Sequence, residues 1–435
     1  MNRSSVEALR NELGRIITDI REACSGTGPI VIYGCGYVVP KLIRFVKSCG
    51  GGDRIKAILD DSPAKWDVVI DGIASRPPKP EDLTSAEAVI FAFPPGDDVF
   101  AKLGIERDAV AVVEGYMLDY ALAVCEHKLT RVNWVTTSAC NSRCVFCAYW
   151  NSDVVHLDAD LIVETVNALP ETTHTLSGGE FFCHPQWRSI LSRIRNKDNM
   201  LLFTNGLLPD RAFQACDEYG ITRFAASLDG GPETYRRVRG VDGFDKVMTT
   251  LRGLKQRPGT IVNVTFVITP DKTAQDFKTV EQICGELGLY FAVARYHQTD
   301  PRLPEAAWND EELHRFDELI RNSPVISELD RHVHGIYADG FRRRLKLTCT
   351  AGFTTPYVDQ YADLYWCGQK KLPAFRIGNL ADAPITDLVR SERFYEIARK
   401  LHHCNDCWCA TNRRFDLYLH QARNRQDRCP AAAVD

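Results

Sequence analysis

Hydrophobic and polar positions along the chain alternate between a helical and an extended period. Over residues 5–24, Val6, Leu9, Leu13, Ile16, Ile17 and Ile20 recur at helical spacing and make one apolar face. Extended apolar runs follow at 30–33, 55–59 and 88–93, with a helical pattern carrying Leu42, Ile43, Phe45 and Val46 between the first two. From Arg131 onward strand and helix patterns alternate six times. Strands are expected at 132–136, 173–176, 200–204, 223–227, 261–268 and 290–295, and helices at 159–169, 187–194, 245–254 and 274–287. Such alternation predicts an α/β fold whose parallel sheet is covered by helices. Six βα units are fewer than the eight that close a complete barrel, so residues 130–300 are expected to form a partial barrel.

The first extended run ends in Gly34-Cys35-Gly36 and the second in Asp60-Asp61. Strand, glycine turn, helix and acid-ended strand is the Rossmann order, and predicts a domain over residues 1–125. Val39 stands where the third glycine of the fingerprint belongs, and Pro40 follows it. A dinucleotide is therefore weakly indicated. The segment resembles small Rossmann-like domains of sugar-modifying and surface-polysaccharide enzymes, on the phrases Asp60-Asp61-Ser62-Pro63-Ala64-Lys65-Trp66 and Ile70-Asp71-Gly72-Ile73. The resemblance implies a pocket for a nucleotide or carrier moiety, or a role in assembly.

Composition narrows the classes. A chain of 435 residues suggests two or three domains, and 25% charged with 45% hydrophobic residues is typical of a globular protein. A net charge of -4 argues against a broad nucleic-acid surface. No apolar run reaches membrane-spanning length, and the opening Met1-Asn2-Arg3-Ser4-Ser5-Val6-Glu7 lacks the apolar core of a signal peptide. Neither a nucleic-acid nor a membrane partner is expected. Sixteen cysteines point to metal binding in a reducing compartment, the cytoplasm.

Nine of those cysteines form two groups. Cys140, Cys144 and Cys147 are spaced C-x3-C-x2-C, with Phe146 before the last. An odd count within eight residues cannot be a disulfide framework and suits a metal or an iron–sulfur cluster instead. A cluster on three thiolates keeps one iron open for a ligand, whereas a zinc knuckle would borrow a distant fourth residue. The second group is Cys349, Cys367, Cys404, Cys407, Cys409 and Cys429, within a C-terminal module over 301–435. A hairpin between Cys349 and Cys367 and the C-x2-C of Cys404 and Cys407 supply four thiolates, suited to zinc or to a cluster.

Three polar phrases end expected strands of the partial barrel. They are Ser177-Gly178-Gly179-Glu180, Thr204-Asn205-Gly206 and Ser227-Leu228-Asp229-Gly230. Each alone reads as an ordinary turn. In this order behind C-x3-C-x2-C, together with Tyr235-Arg236-Arg237-Val238-Arg239-Gly240, they resemble the radical S-adenosylmethionine (SAM) enzymes over about residues 132–295. The resemblance implies that Cys140, Cys144 and Cys147 hold a [4Fe-4S] cluster whose open iron chelates SAM. Phe146, Ser177, Gly178, Gly179, Glu180, Asn205, Ser227 and Asp229 would then line the SAM site. Phe181 replaces the proline that usually follows the Gly-Gly-Glu phrase.

Behind such a barrel the second cysteine group resembles a twitch module, a shortened SPASM domain. The resemblance implies one auxiliary [4Fe-4S] cluster on Cys349, Cys367, Cys404 and Cys407, and leaves Cys409 and Cys429 unassigned. The one-cluster parallels are the aminocyclitol dehydrogenase of butirosin biosynthesis and the enzyme that starts molybdenum-cofactor synthesis. The expected activity is hydrogen abstraction from a small polyol, aminosugar or nucleotide-linked sugar, giving dehydrogenation or epimerisation. A flavodoxin- or ferredoxin-type protein would supply electrons. Arg295, His297 and Asp300 are substrate-facing candidates, and Cys183, Cys409 and Cys429 candidate hydrogen donors. The rivals are a radical SAM peptide maturase and a non-enzymatic iron–sulfur redox or regulatory protein.

Overall fold

The computed structural model describes residues 3–35, 38–61, 66–93, 95, 97–270, 272–296, 310–327, 330–331, 333–335, 338, 347–404, 407 and 413–420. The chain divides into two compact units, Met1–Lys128 and Leu129–Asp435.

In the first unit, β1 (Ile30–Tyr33), β2 (Ile55–Leu59), β3 (Val69–Ile70), β4 (Ile73–Arg76), β5 (Ala88–Phe91) and β6 (Val112–Val113) form a sheet in the order β3-β4-β2-β1-β5-β6. Only the β3–β4 hairpin is antiparallel. Every residue of β1 and β5 is buried, which is why both read as unbroken apolar runs. The helix Arg3–Ser25 buries Leu9, Leu13, Ile17 and Ile20 and packs against the helix Leu118–Glu126. β1 lies between β2 and β5, so the winding direction reverses at its carboxyl end, the place where doubly wound sheets bind ligands.

The described residues at that end bond to one another. Gly34 takes φ +104° and donates its N–H to the Leu59 carbonyl at 2.6 Å. The Cys35 N–H donates to Asp60 Oδ2 at 2.7 Å, so this acidic residue braces the turn. Val38 and Val39 are buried, so side chains fill the space around the missing third glycine. Gly36 and residues 62–65 lie outside the described residues.

In the second unit, β7 (Arg131–Val135), β8 (Thr173–Ser177), β9 (Met200–Thr204), β10 (Arg223–Ser227), β11 (Ile261–Ile268) and β12 (Tyr290–Arg295) pair in parallel and in chain order. Helices Ala159–Ala168, Trp187–Arg193, Pro209–Asp217, Phe244–Lys255 and Ala274–Leu287 alternate with them. The last begins with a Thr273–Asp276 capping box and ends at Gly288 in the left-handed region, start and stop features written in the sequence. Four of the six expected strands have the observed bounds; β7 shifts by one residue and β8 extends by one, to Ser177. Thr136 has left β7, and its N–H and hydroxyl both turn to the Ser177 carbonyl.

Beyond β7 the sheet continues. β13 (Tyr357–Val358) pairs with it in parallel, Tyr357 opposite Asn133 and Val358 opposite Trp134. β14 (Asp363–Tyr365) and β15 (Arg376–Asn379) then add antiparallel. The hairpin between Cys349 and Cys367 is thus an extension of the six-stranded sheet. Among the described residues no helix is long and apolar enough to cross a membrane.

Candidate active site

The loop bearing Cys140, Cys144 and Cys147 leaves the carboxyl end of β7, the end where parallel sheets of this kind gather chemistry. Its stem is pinned by polar contacts. The Thr137 hydroxyl bonds His156 Nδ1 at 2.8 Å, and the Ser138 hydroxyl donates to the Asp153 carbonyl at 2.7 Å. Its far side is zipped to the segment after β10: Arg143 N–H donates to Arg239 O at 2.9 Å and Val145 N–H to Val238 O at 3.0 Å. Gly240, at φ +66°, must be glycine because a Cβ there would lie 2.5 Å from the Arg143 carbonyl oxygen.

The three sulfurs collect donors and a cation. Cys140 Sγ accepts from the Ser142 N–H at 3.4 Å and from Asn205 Nδ2 at 3.8 Å. Cys144 Sγ lies 3.3 Å from the Ser142 hydroxyl and 3.5 Å from Arg239 Nη1. Charge on Cys144 or Cys147 is felt at Cys140, and charge on Cys144 is felt at Cys147. Burial pushes the Cys140 thiol up to about 12 and raises Cys147, so neither is a ready thiolate nucleophile. Metal binding displaces such protons, and the surrounding N–H donors and guanidinium then meet anionic sulfur. The donor set fits a thiolate-held cluster.

Arg239 is itself held. Its Nε donates to Asp229 Oδ2 at 2.5 Å, and Lys272 binds the other oxygen of the same carboxylate. All three side chains are buried. The two cations keep Asp229 below the usual carboxylate range although burial opposes this. Both cations also stand over the Phe146 ring, at 5.4 Å for Arg239 and 5.6 Å for Lys272. Asp229, expected along the SAM site, is therefore committed to Arg239 and Lys272.

The phrase after β8 is likewise engaged by protein. A Cβ on Gly178 would lie 2.3 Å from Thr137 O, and one on Gly179 would lie 2.4 Å from Ala139 O. The close approach these glycines allow is thus to the backbone leading into Cys140, sealed by Gly179 N–H to Thr137 O at 2.7 Å and Glu180 N–H to Ala139 O at 2.8 Å. Glu180 is buried and accepts from the N–H groups of Asn205, at 2.6 Å, and Phe182, at 3.2 Å. Burial raises its carboxyl to about 7 against those bonds. Asn205 links this turn to the cysteine loop, donating to Asn141 Oδ1 at 2.7 Å. Ser177 donates its hydroxyl to Trp134 O at 2.6 Å, and Ser227 ends β10 at the same sheet end.

The second cysteine group is drawn toward one region. Cys349 and Cys404 both act on Cys367, and Arg413 interacts with Cys349, Cys404 and Cys407. Burial raises the Cys349 thiol to about 11 and Cys367 to about 12. Arg413 is buried and pairs with Asp416 at 3.1 Å, which accepts the Thr350 hydroxyl at 2.6 Å beside Cys349. Trp366 packs edge-on to Phe353, and a Cβ on Gly352 would lie 2.2 Å from its indole. Four thiols, two of them deeply buried, with a fixed cation beside them are the donor types of a cluster, while among the described residues no three such side chains are gathered on a single metal ion.

Arg295 is in a buried ion pair with Asp317 and is not open to a substrate. Cys183 is half-buried in the short turn after Glu180, its thiol raised to about 11 by burial. His297, Asp300, Cys409 and Cys429 lie outside the described residues. No local motif announces Lys272, Arg413 or the contacts of Tyr149 with the Tyr357 hydroxyl at 2.8 Å and Lys371 Nζ at 3.0 Å. Arg239 stood inside a quoted phrase without a role.

Residues 134–283 match the family described as the radical SAM superfamily. A probable GTP 3′,8-cyclase of Metallosphaera sedula is 25% identical over 162 residues, covering 35% of this chain and 51% of the relative. The chain thus spans about half the length of that curated relative. The structure of Streptococcus suis SuiB bound to S-adenosylmethionine is similar at a TM-score of 0.52 and 15% identity, over 69% of this chain and 76% of that one. SuiB bound to its precursor peptide SuiA gives 0.51 and 15%, over 65% and 71%. At these identities the structural likeness is one of fold. The family match falls on the strands and loops that assemble the three-cysteine site, and residues 134–283 are a radical SAM domain.

Proposed function

We propose that this enzyme abstracts hydrogen from a nucleotide-linked sugar, an aminosugar or a small polyol, with dehydrogenation or epimerisation as the outcome. The observation that supports the reading is one continuous sheet flanked by both cysteine-bearing segments, Cys140, Cys144 and Cys147 beyond β7 and Cys349 and Cys367 on either side of the strands added to β7. Cys140, Cys144 and Cys147 would hold a SAM-chelating [4Fe-4S] cluster, the source of the radical chemistry, and Cys349, Cys367, Cys404 and Cys407 would hold an auxiliary cluster able to take up one electron. The chain's own part is placement. Asn205 and Ser142 donate to sulfur, Arg239 supplies charge, and the glycines after β8 bring that turn against the cysteine loop. The curated relative named for GTP supports a nucleotide-linked substrate.

A second reading, peptide maturation, draws on the likeness to peptide-bound SuiB. The two separate in one assay. Reduced, reconstituted enzyme is given SAM with nucleotide sugars, aminosugars or polyols deuterated at their carbinol carbons, and the 5′-deoxyadenosine is analysed by mass spectrometry. Deuterium transfer from one of them supports the proposal. Transfer only from a deuterated peptide would replace it with the second reading.

A further inference from the structure

We propose that Tyr149 and Tyr357 form the route by which one electron passes between the two cysteine sites. Their phenol-to-phenol bond joins a residue bonded to Cys147 to a ring packed on the neighbour of Cys367. The inference deepens the proposed function and rests on its two clusters, one on Cys140, Cys144 and Cys147 and one on Cys349, Cys367, Cys404 and Cys407.

At the first site the Tyr149 N–H donates to the Cys147 sulfur, so Tyr149 is tied to that ligand by a hydrogen bond as well as by the chain. Its phenolic oxygen lies 2.8 Å from that of Tyr357, the ordinary length of an O–H···O bond. At the second site the Tyr357 ring lies against the backbone of Gly368, where a Cβ would stand 3.0 and 3.1 Å from ring carbons. Gly368 follows Cys367 directly, so no side chain separates the ring from the main chain beside that ligand. Lys371 fixes the junction, with Nζ 3.0 Å from the Tyr149 oxygen and over both rings. The path through the sheet is longer. From Cys140 it runs back along the loop to Trp134, crosses to Val358 and again to Leu364, and only then reaches Cys367. An electron tunnels more readily through covalent and hydrogen bonds than across gaps, which favours the phenol route.

In the step one electron leaves the second site and enters the first, while the phenolic protons stay in place and no bond forms or breaks. Dehydrogenation gives the step a use. Oxidising a carbinol to a carbonyl releases two electrons and two protons. Cleaving SAM to methionine and 5′-deoxyadenosine takes up two electrons and one proton, so one proton goes to solvent. An electron returned from the second site to the first therefore closes the balance without net consumption of the external low-potential donor.

The test follows the electron in anaerobically reconstituted full-length protein, with iron and sulfide measured in each sample. A flash on a deazaflavin reductant delivers substoichiometric electrons, and freeze-quench EPR times the passage of the signal from one site to the other. The two signals are assigned with variants in which Cys140, Cys144 and Cys147, or Cys349, Cys367, Cys404 and Cys407, are changed to Ala. Tyr149→Phe and Tyr357→Phe keep both rings and lose the bond between them. Each is expected to slow the passage several-fold with both midpoint potentials unchanged, and the double variant no further, since all three lack the same bond. No passage in wild type, or a wild-type rate in either Phe variant with full iron, would overturn the inference. Iron too low for two clusters in wild type would sink the two-cluster reading, and the inference with it.

Discussion

The phenolic oxygens of Tyr149 and Tyr357 lie 2.8 Å apart, and Lys371 Nζ stands 3.0 Å from the first of them. Tyr149 follows Cys147 by two residues, Tyr357 opens β13, and Lys371 follows Cys367 by four. One hydrogen-bonded group therefore ties both cysteine-bearing segments together. The Lys371 ammonium also stands over both rings, at 5.0 and 5.4 Å. Tyr357→Phe removes the phenol-to-phenol bond and keeps the ring, so a loss of about 1 kcal/mol in chemical denaturation is expected, with iron content unchanged.

Asp229 is the counter-ion of two buried cations. Asp229→Ala would leave Arg239 and Lys272 in a dry site facing each other, and a loss on the order of 3–5 kcal/mol is expected from urea denaturation. A loss below about 1 kcal/mol would mean that water reaches the triad.

Two glycines of the same chain should respond oppositely to one added methyl. At Gly179 the methyl meets the backbone oxygen of Ala139, which cannot swing aside like a side-chain end, so Gly179→Ala should cost about 1–3 kcal/mol. At Gly14, inside the helix Arg3–Ser25, nothing lies within 4 Å of the new Cβ, and Gly14→Ala should stabilise by roughly 0.5–1 kcal/mol. Thermal melts of the two variants read both signs.

Glu180 gives a pH signature. Its folded carboxyl titrates at about 7 against an ordinary 4.5, because burial disfavours the charge. The folded chain thus binds this proton more tightly than the unfolded one. The stabilisation is present in full below about pH 4.5 and is lost as pH rises through about 7. Wild type should lose on the order of 3 kcal/mol relative to Glu180→Gln across that window. Asp416, also raised to about 7, is common to both proteins and cancels in the difference.

The frame of the second unit was legible because each βα repeat writes its period and its stops locally. Residues 261–268 alternate as buried and half-exposed, and Thr273, Asp276 and Gly288 mark both ends of one helix. The cysteine loop was legible because ligand spacing is local as well. What escaped depends on distance in sequence. Lys272 reaches Asp229 across 43 positions and Tyr357 reaches Tyr149 across 208, with no periodicity to announce either. Glycine roles were half legible: Gly178 and Gly179 signal a close approach, but not that the partner is the backbone at Thr137 and Ala139. Arg295 reads as a polar strand end, and only tertiary packing brings Asp317 to it.

If each cysteine group holds a cluster, iron content counts them. Iron and sulfide are measured in anaerobically reconstituted wild type beside a variant with Cys140, Cys144 and Cys147 changed to Ala. Two clusters give roughly eight irons in wild type and about four in the variant. About four falling to none would contradict that count, leaving the site of Cys349, Cys367, Cys404 and Cys407 to zinc or to no metal.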